Sequence, residues 1–133
     1  MIEILIADDH PIVREGLKRI VEECPDMRVL GEAVDGDEAV AKSRKASADV
    51  LLLDISMPGP GFLETLQRVR ALPAAPRVLV LSVHPEDQFA VRALRAGAAG
   101  YLTKEQSPEE LADAIRRVQG GGKYVSRKLA EKL

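Results

Sequence analysis

Five polar side chains of this sequence lie at or just after the ends of hydrophobic runs, where they could do chemistry together. The carboxylates Asp8 and Asp9 follow one run, and Asp54 ends a second. The hydroxyl of Ser82 ends a third run, and the amine of Lys104 closely follows a fourth. If the runs are parallel strands, their carboxyl ends meet at one edge of a sheet. We therefore expect these five groups to form one cluster.

Three carboxylates in one cluster predict a bound cation, because their negative charges would otherwise repel one another. Oxygen ligands with spare water positions favour Mg²⁺ over zinc. Taken alone, each residue has a simpler explanation: Asp8 and Asp9 could be turn residues or could cap the next helix, and Asp54 could be a turn residue before Pro58. The joint pattern favours the metal site.

Lys104 and Ser82 add the donors that phosphoryl transfer requires. A lysine at this edge can pair with a carboxylate or with phosphate oxygens, and a serine hydroxyl can donate to the same oxygens. The simpler alternatives are an exposed surface lysine and a cap for the segment that Pro85 opens. Together with a nucleophilic carboxylate and a cation, these donors complete a phosphoryl-transfer site.

The elements that would position this cluster follow from the hydrophobic pattern. Runs without polar alternation are typical of strands buried on both faces of a parallel sheet. They lie at Ile2–Ala7, Val50–Leu53 and Val78–Leu81, with weaker candidates at Val29–Val34 and Gly100–Leu102. Helical patterns separate them. We predict a flavodoxin-like α/β fold, a doubly wound five-stranded parallel sheet of order 2-1-3-4-5 with five flanking helices.

The sequence indicates where two helices begin and where the last long helix ends. Pro11 can open the first helix, and Ser107 can cap the last one in a capping box with Glu110. The glycines of Gly120–Gly122 then end the helical pattern, and Ser126–Leu133 could begin a short new helix.

The composition favours a single soluble domain. The chain has 133 residues, a net charge of −2 and few aromatic residues, which argues against a nucleic-acid-binding surface. Its lone Cys24 suits a reducing compartment. The N-terminal hydrophobic run is short and is broken by Glu3, so we predict neither a signal peptide nor a membrane span and expect a cytoplasmic protein.

Four motifs, in this order and spacing, resemble the receiver domain of two-component response regulators. They are Ile6–Pro11, Leu53–Gly59, Leu81–His84 and Gly100–Lys104. The sequence looks most like the branch whose receivers precede a LuxR-type (NarL/FixJ-like) helix-turn-helix domain. The resemblance implies a receiver at residues 1–120 and a linker at residues 121–133, which would lead to a DNA-binding domain that this chain lacks.

The resemblance also implies a role for each residue of the acidic cluster. Asp54 would be the phosphoacceptor. Asp9 would bind Mg²⁺ directly, and Asp8 would contribute mainly through a bound water. The backbone carbonyl of Ser56 would complete the protein's share of the metal ligands.

Four further roles follow from the same resemblance. Lys104 would hold a phosphoryl oxygen, Ser82 would move towards the phosphate, and Tyr101 would turn inward with it. Ser56 and His84 occupy positions where the family tunes the rate of dephosphorylation. Tyr101 could instead be a half-buried strand residue, and His84 a surface turn residue.

Two positions depart from the family's usual pattern. Phe62 stands where receivers usually carry glycine before the third helix, with Gly61 one residue earlier. Glu105 follows the lysine where proline is often found. Neither departure touches the acidic cluster.

The expected function is a signalling switch. A sensor histidine kinase would phosphorylate Asp54 in a Mg²⁺-dependent reaction, and the surface of the fourth helix, fifth strand and fifth helix would change. The readout would be homodimerisation or release of a DNA-binding domain, so DNA would be bound only through that domain. The alternatives are a stand-alone receiver that acts by protein contacts, an inert interaction module, and a phosphohydrolase with an aspartyl-phosphate intermediate. No enzymatic turnover and no membrane contact are expected.

Overall fold

The computed structural model describes residues 1–82, 88–104 and 106–132. Its strands are β1 (Ile2–Ala7), β2 (Met27–Ala33), β3 (Val50–Asp54), β4 (Arg77–Ser82) and β5 (Gly100–Thr103). Its helices are α1 (Pro11–Glu22), α2 (Gly36–Lys45), α3 (Phe62–Arg70), α4 (Gln88–Arg95), α5 (Pro108–Gln119) and the short α6 (Arg127–Ala130). Strands and helices alternate as far as α5, as predicted.

All five strands belong to one parallel sheet of order β2-β1-β3-β4-β5, which confirms the predicted flavodoxin-like topology. The first and third strands are neighbours, with Ile4–Ala7 opposite Val50–Leu53. This register brings the carboxyl ends of β1 and β3 side by side, so residues that follow β1 lie next to residues that end β3.

Helices cover both faces of the sheet and create two hydrophobic cores. Core A lies under α2, α3 and α4 and includes Leu5 and Leu51; core B lies under α1 and α5 and includes Ile4 and Leu52. Successive residues of β1 and β3 therefore alternate between two buried faces rather than between a core and water. This double burial explains why the strands read as continuous hydrophobic runs.

The helix starts place the site residues at the carboxyl edge of the sheet. Pro11 begins α1 as predicted, and the residue at its N-cap is His10 rather than Asp8 or Asp9. Ser107 and Glu110 form the predicted capping box at the start of α5. Neither aspartate is the N-cap residue of α1, although Asp8 Oδ1 accepts a 2.8 Å hydrogen bond from the His10 amide.

The loop before α3 accommodates the departure at Phe62 and Gly61. Gly59 has a positive φ of 91°, a left-handed conformation that favours glycine. Gly61 is the N-cap of α3 and Phe62 its first residue. The Phe62 ring packs edge-on against Phe89 of α4, with ring centres 6.3 Å apart. Phe62 therefore joins the packing between α3 and α4. Glu105 lies outside the described residues.

The end of the chain packs on the domain. Tyr124 pairs in parallel with Gly100 of β5, and α6 begins after Ser126, as the sequence predicts. Leu129 is 1% exposed and lies in core A. The boundary at residue 120 stays a prediction, but Tyr124 contacts the sheet, and Val125 and Leu129 contact its core.

Candidate functional site

Three carboxylates converge where β1 and β3 end. Asp8 and Asp9 directly follow β1, and Asp54 is the last residue of β3. Possible metal-ligand atoms of Asp8, Asp9, Asp54 and His10 all lie within 4.8 Å of one another. Asp8 and Asp54 are buried, whereas the Asp9 side chain is partly exposed. The predicted acidic cluster is present and opens to solvent on its Asp9 side.

Lys104 provides the positive charge of the cluster. Its Nζ lies 2.8 Å from Asp8 Oδ2 and 3.1 Å from Asp54 Oδ1. Burial alone would lower the pKa of Lys104, but the hydrogen bond to Asp8 and the charge of Asp54 outweigh burial, and the pKa is raised above its ordinary value. Lys104 therefore stays protonated at neutral pH and bridges both buried carboxylates.

The cluster has the donor set of a hard divalent cation. Lys104 offsets only one of three negative charges, so the remaining charge favours a cation. Asp9 Oδ1 is buried, and no hydrogen bond to it comes from the described residues, although His10 Nδ1 lies 3.0 Å away. A buried carboxylate oxygen of this kind is costly unless an ion or water satisfies it. Carboxylate oxygens beside solvent fit Mg²⁺.

The other predicted site residues are divided between the cluster and its surroundings. The Ser56 hydroxyl lies 3.3 and 3.2 Å from the two carboxylate oxygens of Asp54 and donates to them. Ser82 is buried at the end of β4, and its carbonyl accepts a 2.7 Å hydrogen bond from the Lys104 amide. Tyr101 is 2% exposed and belongs to core A, so it is more deeply buried than a half-buried strand residue. His84 lies outside the described residues.

Sequence reasoning missed two residues beside the acids. His10, the N-cap residue of α1, places Nδ1 3.1 Å from Asp8 Oδ1. Arg14, one turn further along α1, donates through Nη1 to the backbone carbonyl of Asp8 at 2.8 Å and through Nε to Glu32 at 3.0 Å. The spacing of His10 and Arg14, four residues apart on one helix face, was the available signal.

Glu32 keeps Arg14 in place next to Asp8. Burial would raise the pKa of Glu32, but its contacts with Lys18 and Arg14 outweigh burial and hold this pKa below its usual value. The carboxylate is therefore ionised at neutral pH and orients Arg14 towards the turn that carries Asp8.

No helix in the described part of the chain combines the length and apolar character needed to cross a membrane.

A doubly wound sheet with this acidic cluster and lysine at its carboxyl edge defines a receiver-type signalling domain. Residues 4–116 match the response regulator receiver domain family, and the chain belongs to that family. Its sequence is 40% identical over 133 residues to response regulator UvrY of Escherichia coli K12, covering the whole chain and 61% of that protein. It is 38% identical to response regulator GacA of Pseudomonas aeruginosa PAO1, covering 62% of that protein. The chain thus spans less than two thirds of these relatives.

Solved structures place the chain in the LuxR-type branch of this family. A LuxR-family two-component response regulator from Aurantimonas sp. SI85-9A1 has a TM-score of 0.89 at 39% identity, over 97% of this chain and 92% of that one. The isolated receiver domain of RcsB from Salmonella enterica serovar Typhimurium, with the phosphomimetic BeF3⁻, has a TM-score of 0.87 at 26% identity, over 99% and 98%. Both similarities extend over nearly all of this chain.

Proposed function

We propose that this receiver is a phosphorylation-dependent switch in which Asp54 accepts a phosphoryl group from a sensor histidine kinase. The observation that carries the proposal is the contact of Lys104 with Asp54 and Asp8, both buried at the carboxyl edge of the sheet. A buried carboxylate beside a fixed ammonium is a positioned nucleophile with a donor ready for the incoming group. Membership of the receiver family supports the same role.

Mg²⁺ would be held by Asp8, Asp9 and Asp54 together with the backbone carbonyl of Ser56. The buried Asp9 oxygen without a hydrogen-bond partner among the described residues supports this assignment. When bound, the cation supplies charge neutralisation for the transferring phosphoryl group. Asp9, the most exposed of the three acids, is the residue through which the ion reaches the site.

In the transfer step a carboxylate oxygen of Asp54 attacks the phosphorus of the kinase phosphohistidine in line with the P–N bond. A P–O bond forms as the P–N bond breaks, and the imidazole leaves with the electron pair. Lys104, whose pKa is raised by its contacts with Asp8 and Asp54, donates to one phosphoryl oxygen. The Ser56 hydroxyl, which already donates to Asp54, lies beside the new acyl phosphate.

The phosphoryl group would then be read by Ser82 and Tyr101. Ser82 ends β4 beside Asp54, with Leu81 opposite Asp54 in the sheet. Movement of Ser82 towards the phosphate, with Tyr101 held inward, changes the surface formed by α4, β5 and α5. Ser56 and His84 would set how long the phosphorylated state lasts, since they lie two residues beyond Asp54 and Ser82, where the family tunes the rate of dephosphorylation.

The output we propose is control of a transcriptional domain outside this chain, with phosphorylation-dependent homodimerisation. Support comes from the LuxR-family regulator that this chain resembles and from the fact that the chain spans 61% of UvrY. The net charge of −2 gives this domain little attraction for DNA, so DNA contact belongs to that other domain. We also propose a cytoplasmic location, where sensor kinases present their phosphohistidine.

Incubation with acetyl phosphate and Mg²⁺, followed by intact mass spectrometry, tests the proposal. Wild-type protein should gain one phosphoryl group that hydroxylamine removes, and Asp54→Asn should gain none. Asp113→Asn, which removes an exposed acid on α5, is the matched control and should be labelled like wild type. Equal labelling of Asp54→Asn would refute the assignment of the acceptor, and release of many phosphates per chain at a high rate would favour a phosphohydrolase.

A further inference from the structure

The C-terminal tail and the strand that carries Tyr101 are joined by backbone hydrogen bonds. The Tyr124 amide donates to the Ala99 carbonyl at 3.0 Å, and the Tyr101 amide donates to the Tyr124 carbonyl at 3.1 Å. Tyr124 thereby forms a parallel bridge with Gly100. The backbone of Tyr101 is thus fixed on its outer side by the tail.

Side chains of the tail reach the same core as the Tyr101 ring. Leu129 of α6 is 1% exposed and, like Tyr101, belongs to core A, and Val125 packs against that core. Ser126 caps α6 by accepting a 3.0 Å hydrogen bond from the Leu129 amide. The tail therefore contacts the switch strand through its backbone and shares a core with the Tyr101 side chain.

Gly100 permits the close approach of the tail to β5. A Cβ at this position would lie 2.9 Å from the Tyr124 carbonyl oxygen and 2.9 Å from Leu79 Cδ1. A larger residue would push either the tail or the sheet away. Glycine at position 100 allows Tyr124 to pair with β5.

The space beside Tyr101 is bounded by the tail. A cavity of about 120 Å³ is lined by Tyr101, Thr103, Gln106, Tyr124, Val125 and Ser126. A Tyr101 ring that left core A through this space would meet the tail residues that border it. The docked tail and the inward orientation of Tyr101 occur together in this structure.

We propose that residues 124–130 form a latch that stabilises the inward orientation of Tyr101 and, through it, the phosphorylated state. The proposal rests on the proposed function, because it assigns the inward Tyr101 to that state. Coupling between two events is reciprocal: if the latch favours phosphoryl binding, then phosphoryl binding favours the latch by the same factor. The tail is then a part of the switch rather than a passive connection.

Beryllofluoride binding in the presence of Mg²⁺, followed by ¹⁹F NMR, measures the coupling from the site. Leu129→Ala removes a buried anchor of the latch, and Tyr124→Pro removes the amide that donates to Ala99. Each should weaken beryllofluoride binding by about fivefold or more, within the usual range of coupling energies. Lys132→Ala, an exposed change in the same tail, should bind like wild type.

Hydrogen exchange measures the same coupling from the tail. In wild type, saturating beryllofluoride should slow hydrogen exchange at the Tyr124 and Ala130 amides. The factor should match the factor by which the variants lose affinity for beryllofluoride. Neither tail variant changes the acidic cluster, so a folded variant should bind Mg²⁺ with the affinity of wild type. Thermal denaturation shows whether the variant is folded, and these two measurements separate loss of the latch from a general loss of structure. If one of the two variants folds poorly, the other still tests the latch, because one substitution removes a buried side chain and the other a backbone hydrogen bond.

Two results would overturn the latch. One is unchanged tail protection when ¹⁹F NMR shows the site saturated; the other is wild-type affinity in folded Leu129→Ala and Tyr124→Pro. A wild-type chain that binds no beryllofluoride would instead overturn the proposed function, and the latch with it. The two failures are therefore distinguishable.

Discussion

The ammonium of Lys104 lies 3.1 Å from a carboxylate oxygen of Asp54, with side chains that are 14% and 1% exposed. Asp8, on the neighbouring strand end, contacts the same ammonium at 2.8 Å. Without the lysine, two buried negative charges would face each other with no positive charge between them. The lysine therefore stabilises the two buried carboxylates before it takes part in any phosphoryl transfer.

Lys104→Met keeps the aliphatic stem and removes the charge, and we expect it to lower the free energy of unfolding by about 2–3 kcal/mol in EDTA. This is below the cost of breaking a fully buried pair, about 3–5 kcal/mol, because the site is open on one side. Mg²⁺ should restore part of the loss. Urea denaturation with and without Mg²⁺ measures both effects. Lys18→Met, on a surface ion pair, should lower the free energy of unfolding less than Lys104→Met does.

The Lys104 contribution should also depend on pH in a defined direction. Because its pKa is raised in the folded state, the stabilisation is complete below the unfolded value of 10.5 and is lost as the pH rises through the higher folded value. The stability difference between wild type and Lys104→Met should therefore narrow above pH 10.5. A difference that stays constant through this range would contradict the ion-pair explanation.

Asp9→Asn removes one of the three negative charges and an oxygen that we assign to the metal. In EDTA the variant should be about 1 kcal/mol more stable than wild type, since charge repulsion is relieved. Mg²⁺ at ten times its Kd should stabilise wild type by about 1.4 kcal/mol and the variant by much less. Thermal denaturation across a Mg²⁺ titration gives both values. Asp113→Asn should respond to Mg²⁺ like wild type.

Gly36 of α2 lies against Thr65 of α3, and only glycine fits this contact. A Cβ at residue 36 would be 2.3 Å from Thr65 Oγ1. Gly36→Ala should therefore destabilise the fold by about 1–3 kcal/mol. Thr65→Ala removes the hydroxyl, which has no hydrogen-bond partner among the described residues, and should recover much of that loss in the double variant. Additive effects in urea denaturation would rule out this contact as the cause.

Tyr124 should make the folded state sensitive to alkaline pH. Burial raises the pKa of its phenol above 10.0, and the charges of Glu110 and Asp113 raise it further. The folded state therefore favours the neutral phenol, and its contribution to stability is lost as the pH rises above 10.0 through the raised folded value. Absorbance titration should show that Tyr124→Phe removes a tyrosine titration with a raised pKa, and the same substitution should flatten the fall in stability. An unchanged pH profile would refute this explanation.

The sheet and the acidic cluster could be predicted because strands that are buried on both faces are continuous hydrophobic runs in the sequence. Strand β1 begins and ends where the hydrophobic run Ile2–Ala7 does. Strand β2 was less distinct, and its predicted run Val29–Val34 starts two residues late and ends one residue late. As an edge strand it has two exposed and three partly exposed positions, so hydrophobic residues mark its ends poorly.

The side-chain contacts around the cluster were less predictable than the cluster itself. His10 faces two carboxylates because of the direction in which the chain turns into α1, and sequence spacing does not report that direction. The packing of the tail was hidden for a different reason. Gly120–Gly122 correctly marks the end of α5, but a four-residue helix has too few positions to show a period. The burial of Leu129 depends on tertiary contacts with core A alone.

The bridge at Tyr124 has a practical consequence for dissecting this protein. Strand β5 is the last of the sheet, and edge strands with open hydrogen-bonding groups are templates for pairing with other chains. Tyr124 occupies the Ala99 carbonyl and the Tyr101 amide on that edge. A fragment cut after residue 120 would uncover both groups together with the apolar surface beneath Leu129. Such a fragment should self-associate, and its solubility would then misrepresent that of the receiver with its tail in place.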